Sequence, residues 1–238
     1  MGFADMLIEL GVSYNSEYAL KIAESVMKFI SDEGKRMSIE LAKERGSFPE
    51  FENSIWKQKG YEAIRNSTVT TIAPTGTISI IADTSSGIEP LFALSYARKT
   101  AEGNTLIYFN DELRKELIKN RLNNGDIIEK IHKEGTIQNI GEIPERIKKI
   151  LKVGSDIAPE WHVRMQAAFQ KYVDNGISKT VTLPKDATVE DVESAFMMAY
   201  ELGCKGISIY RFGSREGQVI YLSSKRDEQI TLKNFFRK

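Results

Sequence analysis

Cysteine is nearly missing: the 238 residues contain one, Cys204. One thiol excludes an internal disulfide framework and fits a reducing compartment, the cytoplasm. Histidine is as scarce, and His132 and His162 with a single cysteine do not make a zinc-ligand set. Charge of one sign is absent too, since 33 basic residues balance 33 acidic ones, which removes the electrostatic case for general nucleic-acid binding. No apolar run approaches the roughly 20 residues of a membrane span. The opening MGFADMLIELG has no basic stretch and carries acids early, so it does not read as a signal peptide. Met6 stands where a myristoylation motif needs Ser or Thr. There is no internal repeat and no low-complexity tract. What remains is the composition of a soluble globular protein, 41% apolar and 28% charged, long enough for one good core or two small ones.

The most informative stretch is TIAPTGTIS at residues 71–79. It follows a β-rich run at 67–70 and leads into the apolar run ISIIA at 78–82, so it reads as strand, tight turn and helix start. Free backbone N–H groups at a helix N-terminus attract anions. Thr75, Thr77 and Ser79 add hydroxyls, and Gly76 allows a sharp turn and a close backbone approach. The expected phosphate seat is therefore Pro74, Thr75, Gly76, Thr77, Ile78 and Ser79. No Gly-Lys-Ser/Thr follows, so it is not a Walker P-loop. From spacing alone, an ordinary strand-to-helix turn with hydroxyl caps fits equally well.

Along the chain, Asn15 or Ser16 caps a helix whose apolar face is Leu20, Ala23, Met27, Ile30, Gly34, Met37 and Leu41, with a stop at Gly46 and Pro49. Gly34 weakens the case for one unbroken rod. Residues 47–60 read as a surface loop held down by Phe51 and Trp56. A strand is expected at 95–100. The charged region 101–154 then gives short helices at 111–122, 126–133 and 144–153, read as a solvated layer outside the main core. Pro159 starts a helix to about residue 174. A strand at 177–183, a helix from 189 to 202 capped by Thr188 with Asp191, and a strand at 205–210 form a β-α-β unit with parallel strands. Cys204 reads as a buried structural thiol, and His162 as a packed or capping residue.

The segment 71–92, TIAPTGTISIIADTSSGIEPLF, resembles the adenosylcobalamin-dependent (class II) ribonucleotide reductases. MGFADMLIELGVSYN at the N-terminus, APEWHVRMQAAFQKYVDNGISKTVTLP at 158–184 and ELGCKGISIYRFGSR at 201–215 resemble the same family in the same order. The resemblance implies an α/β fold, part of a ten-stranded α/β barrel with parallel β-α-β units and extra surface helices, that reduces ribonucleotides by thiyl-radical chemistry. It also implies a barrel portion, 1–215, carrying the helical insertion 101–154; the tail 216–238 departs from the family, and its extreme C-terminus is expected to be disordered.

In that family the radical cysteine lies on an Asn-x-Cys-x-Glu loop, and a second cysteine pair supplies electrons. Cys204 has no such surroundings, and one thiol cannot fill three roles. The chain is therefore expected to hold no catalytic residue or metal ligand. It should be the C-terminal half of the catalytic barrel, inactive without an N-terminal half. Adenosylcobalamin would be the cofactor of the assembled enzyme, and the partners would be the N-terminal half, a ribonucleotide and an external dithiol reductant, with no nucleic acid and no membrane. The tail also lacks the family's Cys-x-x-Cys. Tyr210 is single, where class I large subunits carry adjacent tyrosines, and this favours the cobalamin-dependent class. Residues 84–90 belong to the family signature and are expected to shape the site wall, with Glu89 not the working acid. The alternative is a stand-alone nucleotide- or phosphate-binding module that has lost reductase chemistry.

Overall fold

The computed structural model describes residues 1–99, 105–214 and 220–221. A short helix α1 (Phe3–Glu9) precedes α2 (Glu17–Arg45), whose cap Ser16 accepts from the Ala19 N–H at 3.1 Å. Gly34 does not interrupt α2. A Cβ there would lie 3.4 Å from Val69 Cγ2, so the missing side chain lets residue 69 approach. The buried face begins as expected with Leu20, Ala23 and Met27, then runs through Ser31, Ser38 and Ala42, leaving Ile30 and Met37 exposed. The reason is polar: the Asn66 N–H and the Arg65 N–H donate to Ser38 Oγ and Ser38 O at 2.9 and 3.0 Å, drawing that side of the helix inward.

Residues 47–60 hold a 3-10 turn and α3 (Ile55–Gln58), and Phe51, Trp56 and Ile64 form a small separate cluster. After α4 (Gly76–Ile81), β1 (Ser95–Lys99) pairs antiparallel with β2 (Thr105–Phe109). Strand β2 was not expected from the sequence. Helices α5 (Asp111–Lys119), α6 (Gly125–Glu134) and α7 (Glu145–Ile150) follow, and Asn110 and Asn124 cap the first two through their side chains.

The reading of 101–154 as a solvated outer layer needs correcting. Leu113, Leu117, Ile128, Ile131, Ile137, Ile140 and Ile147 are fully buried in the same core as Phe3, Leu7, Leu20 and Phe169. Each such side chain contributes about 1.5–3 kcal/mol of burial. Apart from the buried Lys148, the lysines that pair with glutamates on these helices are exposed, and such ion pairs contribute little.

Helix α8 (Pro159–Gln170) packs against α2 and stops four residues earlier than expected, because Gln170 Nε2 donates to Val173 O and Asn175 O and fixes a turn. Then β3 (Thr180–Leu183), α9 (Val189–Glu201) and β4 (Ser208–Arg211) form the expected unit, with β3 and β4 parallel and paired from Thr180↔Ser208 to Leu183↔Arg211. The Thr188–Asp191 capping box is present. On the other side of β3, Ile72 bridges Ile177 in parallel, so the start of the 71–79 stretch is the next segment of the same parallel layer. The run 67–70 is not a strand; it is extended chain tied to Asp174. The divergent tail, including the C-terminus expected to be disordered, lies outside the described residues except for β5 (Ile220–Tyr221), which pairs antiparallel with β1.

Candidate functional site

The short helix α4 starts where a hydroxyl-rich turn leaves the parallel layer. Its cap is Thr75, a non-glycine residue in the left-handed region at φ 53°. The strained position is therefore Thr75, not Gly76, whose φ is ordinary and whose Cβ position is open. Thr75 is held by a second loop: Gly87 N–H donates to Thr75 Oγ1 at 2.8 Å, and Ser86 Oγ donates to Pro74 O. Gly87 has φ 51°, and a Cβ there would sit 3.3 Å from Ala73 O. Gly87→Ala is expected to cost about 1–2 kcal/mol, read as a lowered Tm, since backbone cannot yield as a flexible side chain can. An unchanged Tm would mean that the two loops are not locked together.

The second loop is fixed from α1 as well. Asp5 accepts from Thr84 Oγ1 at 2.7 Å and from Ser85 N–H at 2.5 Å, and Gly2 N–H donates to Ser85 O at 2.8 Å. Between these pieces lies a cavity of about 510 Å³, a size suited to a small organic ligand. Gly76, Ser79, Ile80 and Asp83 present one face of α4 and its end to it. Residues 84–86 and 89–93 form a second wall of the cavity. Tyr96 and Tyr108, stacked at 4.8 Å, come from the β1–β2 hairpin, and Gly154, Thr180, Thr182, Tyr210 and Phe212 close the remainder. Burial, above all, pushes the Tyr108 phenol up to about 12, so it remains a neutral donor.

Of the six expected seat residues, Gly76 and Ser79 line the cavity. Thr75 shapes the turn instead, while Pro74, Thr77 and Ile78 are not among the lining residues, and Ile78 is exposed. The first-turn N–H groups of α4 have no partner inside the helix. Ser79 Oγ is 3.3 Å from Gly76 O.

Behind the wall is a group that the sequence reading did not assemble. Glu89 Oε1 accepts from Thr180 N–H at 2.6 Å, and Oε2 accepts from Lys179 Nζ at 2.5 Å. Lys179, with its side chain 0% exposed, also donates to Thr180 O at 2.8 Å and to His162 Nδ1 at 3.0 Å. Because Nδ1 accepts, His162 Nε2–H donates to Gly154 O, 3.0 Å away. Burial, then the Lys179 charge, lowers the His162 imidazole to about 3, so it is neutral. Burial also lowers Lys179, against the pull of Glu89; its three acceptors require the ammonium form. A sequence signal for Lys179 existed: it shares the inward side of the strand with Ile177, Val181 and Leu183, all buried, where a lysine stands only with partners.

Cys204 lies outside the cavity lining, half-buried against the β3–α9–β4 cluster, and burial raises its thiol. Among the described residues no group of three or more His, Cys, Asp or Glu residues is placed to hold a metal ion. No described helix is long and apolar enough to cross a membrane.

The family model for the ribonucleotide reductase barrel domain matches residues 1–63 and 57–210. Over 220 residues, 92% of its length, the chain is 47% identical to a vitamin B12-dependent ribonucleoside-diphosphate reductase of Thermoplasma acidophilum, and 40% identical to one of Mycobacterium tuberculosis. It spans only 28% and 31% of those two relatives. Among solved structures it is similar to the class Id ribonucleotide reductase alpha subunit of Actinobacillus ureae, with a TM-score of 0.75 and 27% identity over 90% of this chain and 38% of that one. The α-helices and parallel strands described above are thus part of an α/β barrel of that kind.

Proposed function

The chain belongs to the ribonucleotide reductase barrel-domain family, and from that premise we propose that it supplies the substrate-phosphate seat and part of the barrel of an adenosylcobalamin-dependent ribonucleoside-diphosphate reductase. The observation that carries this reading is the α4 N-terminus opening on a cavity of nucleotide size, on the family's fold. The unpaired N–H groups of Gly76, Thr77 and Ile78 hold the terminal phosphates, with Ser79 beside them. Tyr96 and Tyr108 offer a flat apolar face to the remainder of the nucleotide. In this reading residues 1–215 are barrel, with 101–154 the helical part inserted within it.

The reacting sulfurs come from elsewhere. Reducing a ribose hydroxyl takes a radical carrier and two electrons from a thiol pair, and the sequence offers only Cys204, which is outside the cavity lining. An N-terminal half of the reductase supplies them, and an external dithiol restores them. The relatives' dependence on vitamin B12 is carried over to the assembled enzyme. Adenosylcobalamin would supply the radical there; a cavity of about 510 Å³ suits a nucleotide and does not fit a corrin as well, so none of its walls is assigned to the cofactor. The setting is cytoplasmic deoxyribonucleotide synthesis for DNA replication. The relatives named above are reductases, which leaves the stand-alone binding module without support.

Thr77→Pro tests the seat. Proline in the first turn leaves helix hydrogen bonds intact but deletes one free N–H. Pyrophosphate affinity of the chain is expected to fall roughly tenfold, as for a hydrogen bond to a charged group. Unchanged affinity would put the anion elsewhere.

A further inference from the structure

Glu89 is not accounted for by a phosphate seat, since a carboxylate repels phosphate. Its surroundings are nonetheless highly organised. A carboxylate has about four acceptor positions. Two are taken by Lys179 and Thr180, both behind the wall, and the side chain keeps 26% of its surface open while Lys179 keeps none. That surface belongs to the cavity lining. For stability alone a buried ion pair has no advantage over apolar packing of equal volume. The groups that fix Glu89 tie it to two other wall segments: Thr180 of β3 directly, and Gly154 through Lys179 and the buried His162 of α8.

We propose that Glu89 is a ligand-contacting acceptor that binds a hydrogen-bond donor on the nucleoside part of the substrate, a sugar hydroxyl or a base amino group, with Lys179 as its positioning residue. This rests on the reading of the cavity as a nucleotide site and adds a specificity element to it. The fixed acceptor faces the cavity opposite in character to the α4 N–H groups: one end of the ligand is negative, and the other offers O–H or N–H. Asp83 also lines the cavity but has no buried cation fixing it among its described contacts.

The experiment is calorimetric titration of the full 238-residue chain with pyrophosphate, ADP, 2′,3′-dideoxyADP and inosine diphosphate. Glu89→Gln removes the charge; Glu89→Asp keeps the charge for Lys179, and thus the fold, while withdrawing the acceptor by one methylene. Both variants are expected to bind ADP roughly tenfold more weakly than the parent chain and to keep its pyrophosphate affinity. The analogue that loses nothing on going from parent to Glu89→Asp names the donor: the dideoxynucleotide marks a sugar hydroxyl, the inosine nucleotide the base amino group. Undiminished ADP affinity in Glu89→Asp with pyrophosphate binding intact would overturn this inference alone, as would equal losses for ADP and both analogues. A parent chain that binds no pyrophosphate would overturn the phosphate seat first, and this inference with it.

Discussion

Lys179→Met is expected to destabilise the chain by about 3 kcal/mol, read as a lower urea midpoint at unchanged slope. The substitution removes the cation from Glu89 and the donor from both His162 Nδ1 and Thr180 O. Losing one partner of a buried pair costs about 3–5 kcal/mol, and the partial exposure of Glu89 places this case at the low end. The double variant Glu89→Leu with Lys179→Met should recover part of the loss, because it leaves no unpaired charge. If the single variant cost less than about 1 kcal/mol, the size of an ordinary neutral hydrogen bond, the ammonium would not be holding the wall.

The second large effect is on acid stability. His162 is lowered from 6.5 to about 3 in the folded chain. Between these values the unfolded chain binds a proton that the folded chain does not, so stability is full above pH 6.5 and is lost as pH falls towards 3. From pH 7 to pH 5 the loss due to this residue is about 2 kcal/mol. His162→Gln keeps an N–H able to face Gly154 O and removes the titration. The difference between parent and variant in unfolding free energy should therefore shrink by that amount over the same interval. Parallel pH profiles for the two proteins would contradict a buried neutral imidazole.

How much of this was legible in the sequence depends on how local each signal is. The caps at Ser16 and Thr188 are contacts across three residues, and they stand where the pattern put them. The β3–α9–β4 unit has a clean change of periodicity, and its parallel pairing follows. The 71–79 stretch showed its turn and helix, but the sharp turn was attributed to Gly76 when the left-handed residue is Thr75; the hydrogen bond from Gly87, twelve residues away, is what holds it. The same blindness to distance explains the misplaced 101–154 segment. Its surface charges dominate a linear reading, whereas the isoleucines of α6 and the loop after it become core only once α1 and α8 pack on them. The far half of the α2 face shifted for a related reason, since Asn66 and Arg65 bind Ser38 across 28 and 27 positions. Glu89, Lys179 and His162 were each visible as residues. Only the fold brings Lys179 within 3.0 Å of both Glu89 and His162.

The most direct measurement combines the chain with a separately made N-terminal reductase segment carrying the radical cysteine and the reducing pair, together with adenosylcobalamin, a dithiol and a ribonucleoside diphosphate, and follows deoxyribonucleotide formation. The expected result is product from the mixture and none from either piece alone, with Thr77→Pro in this chain lowering the rate at limiting substrate. Product from this chain by itself, or a stable complex of the two pieces that makes none, would contradict the account.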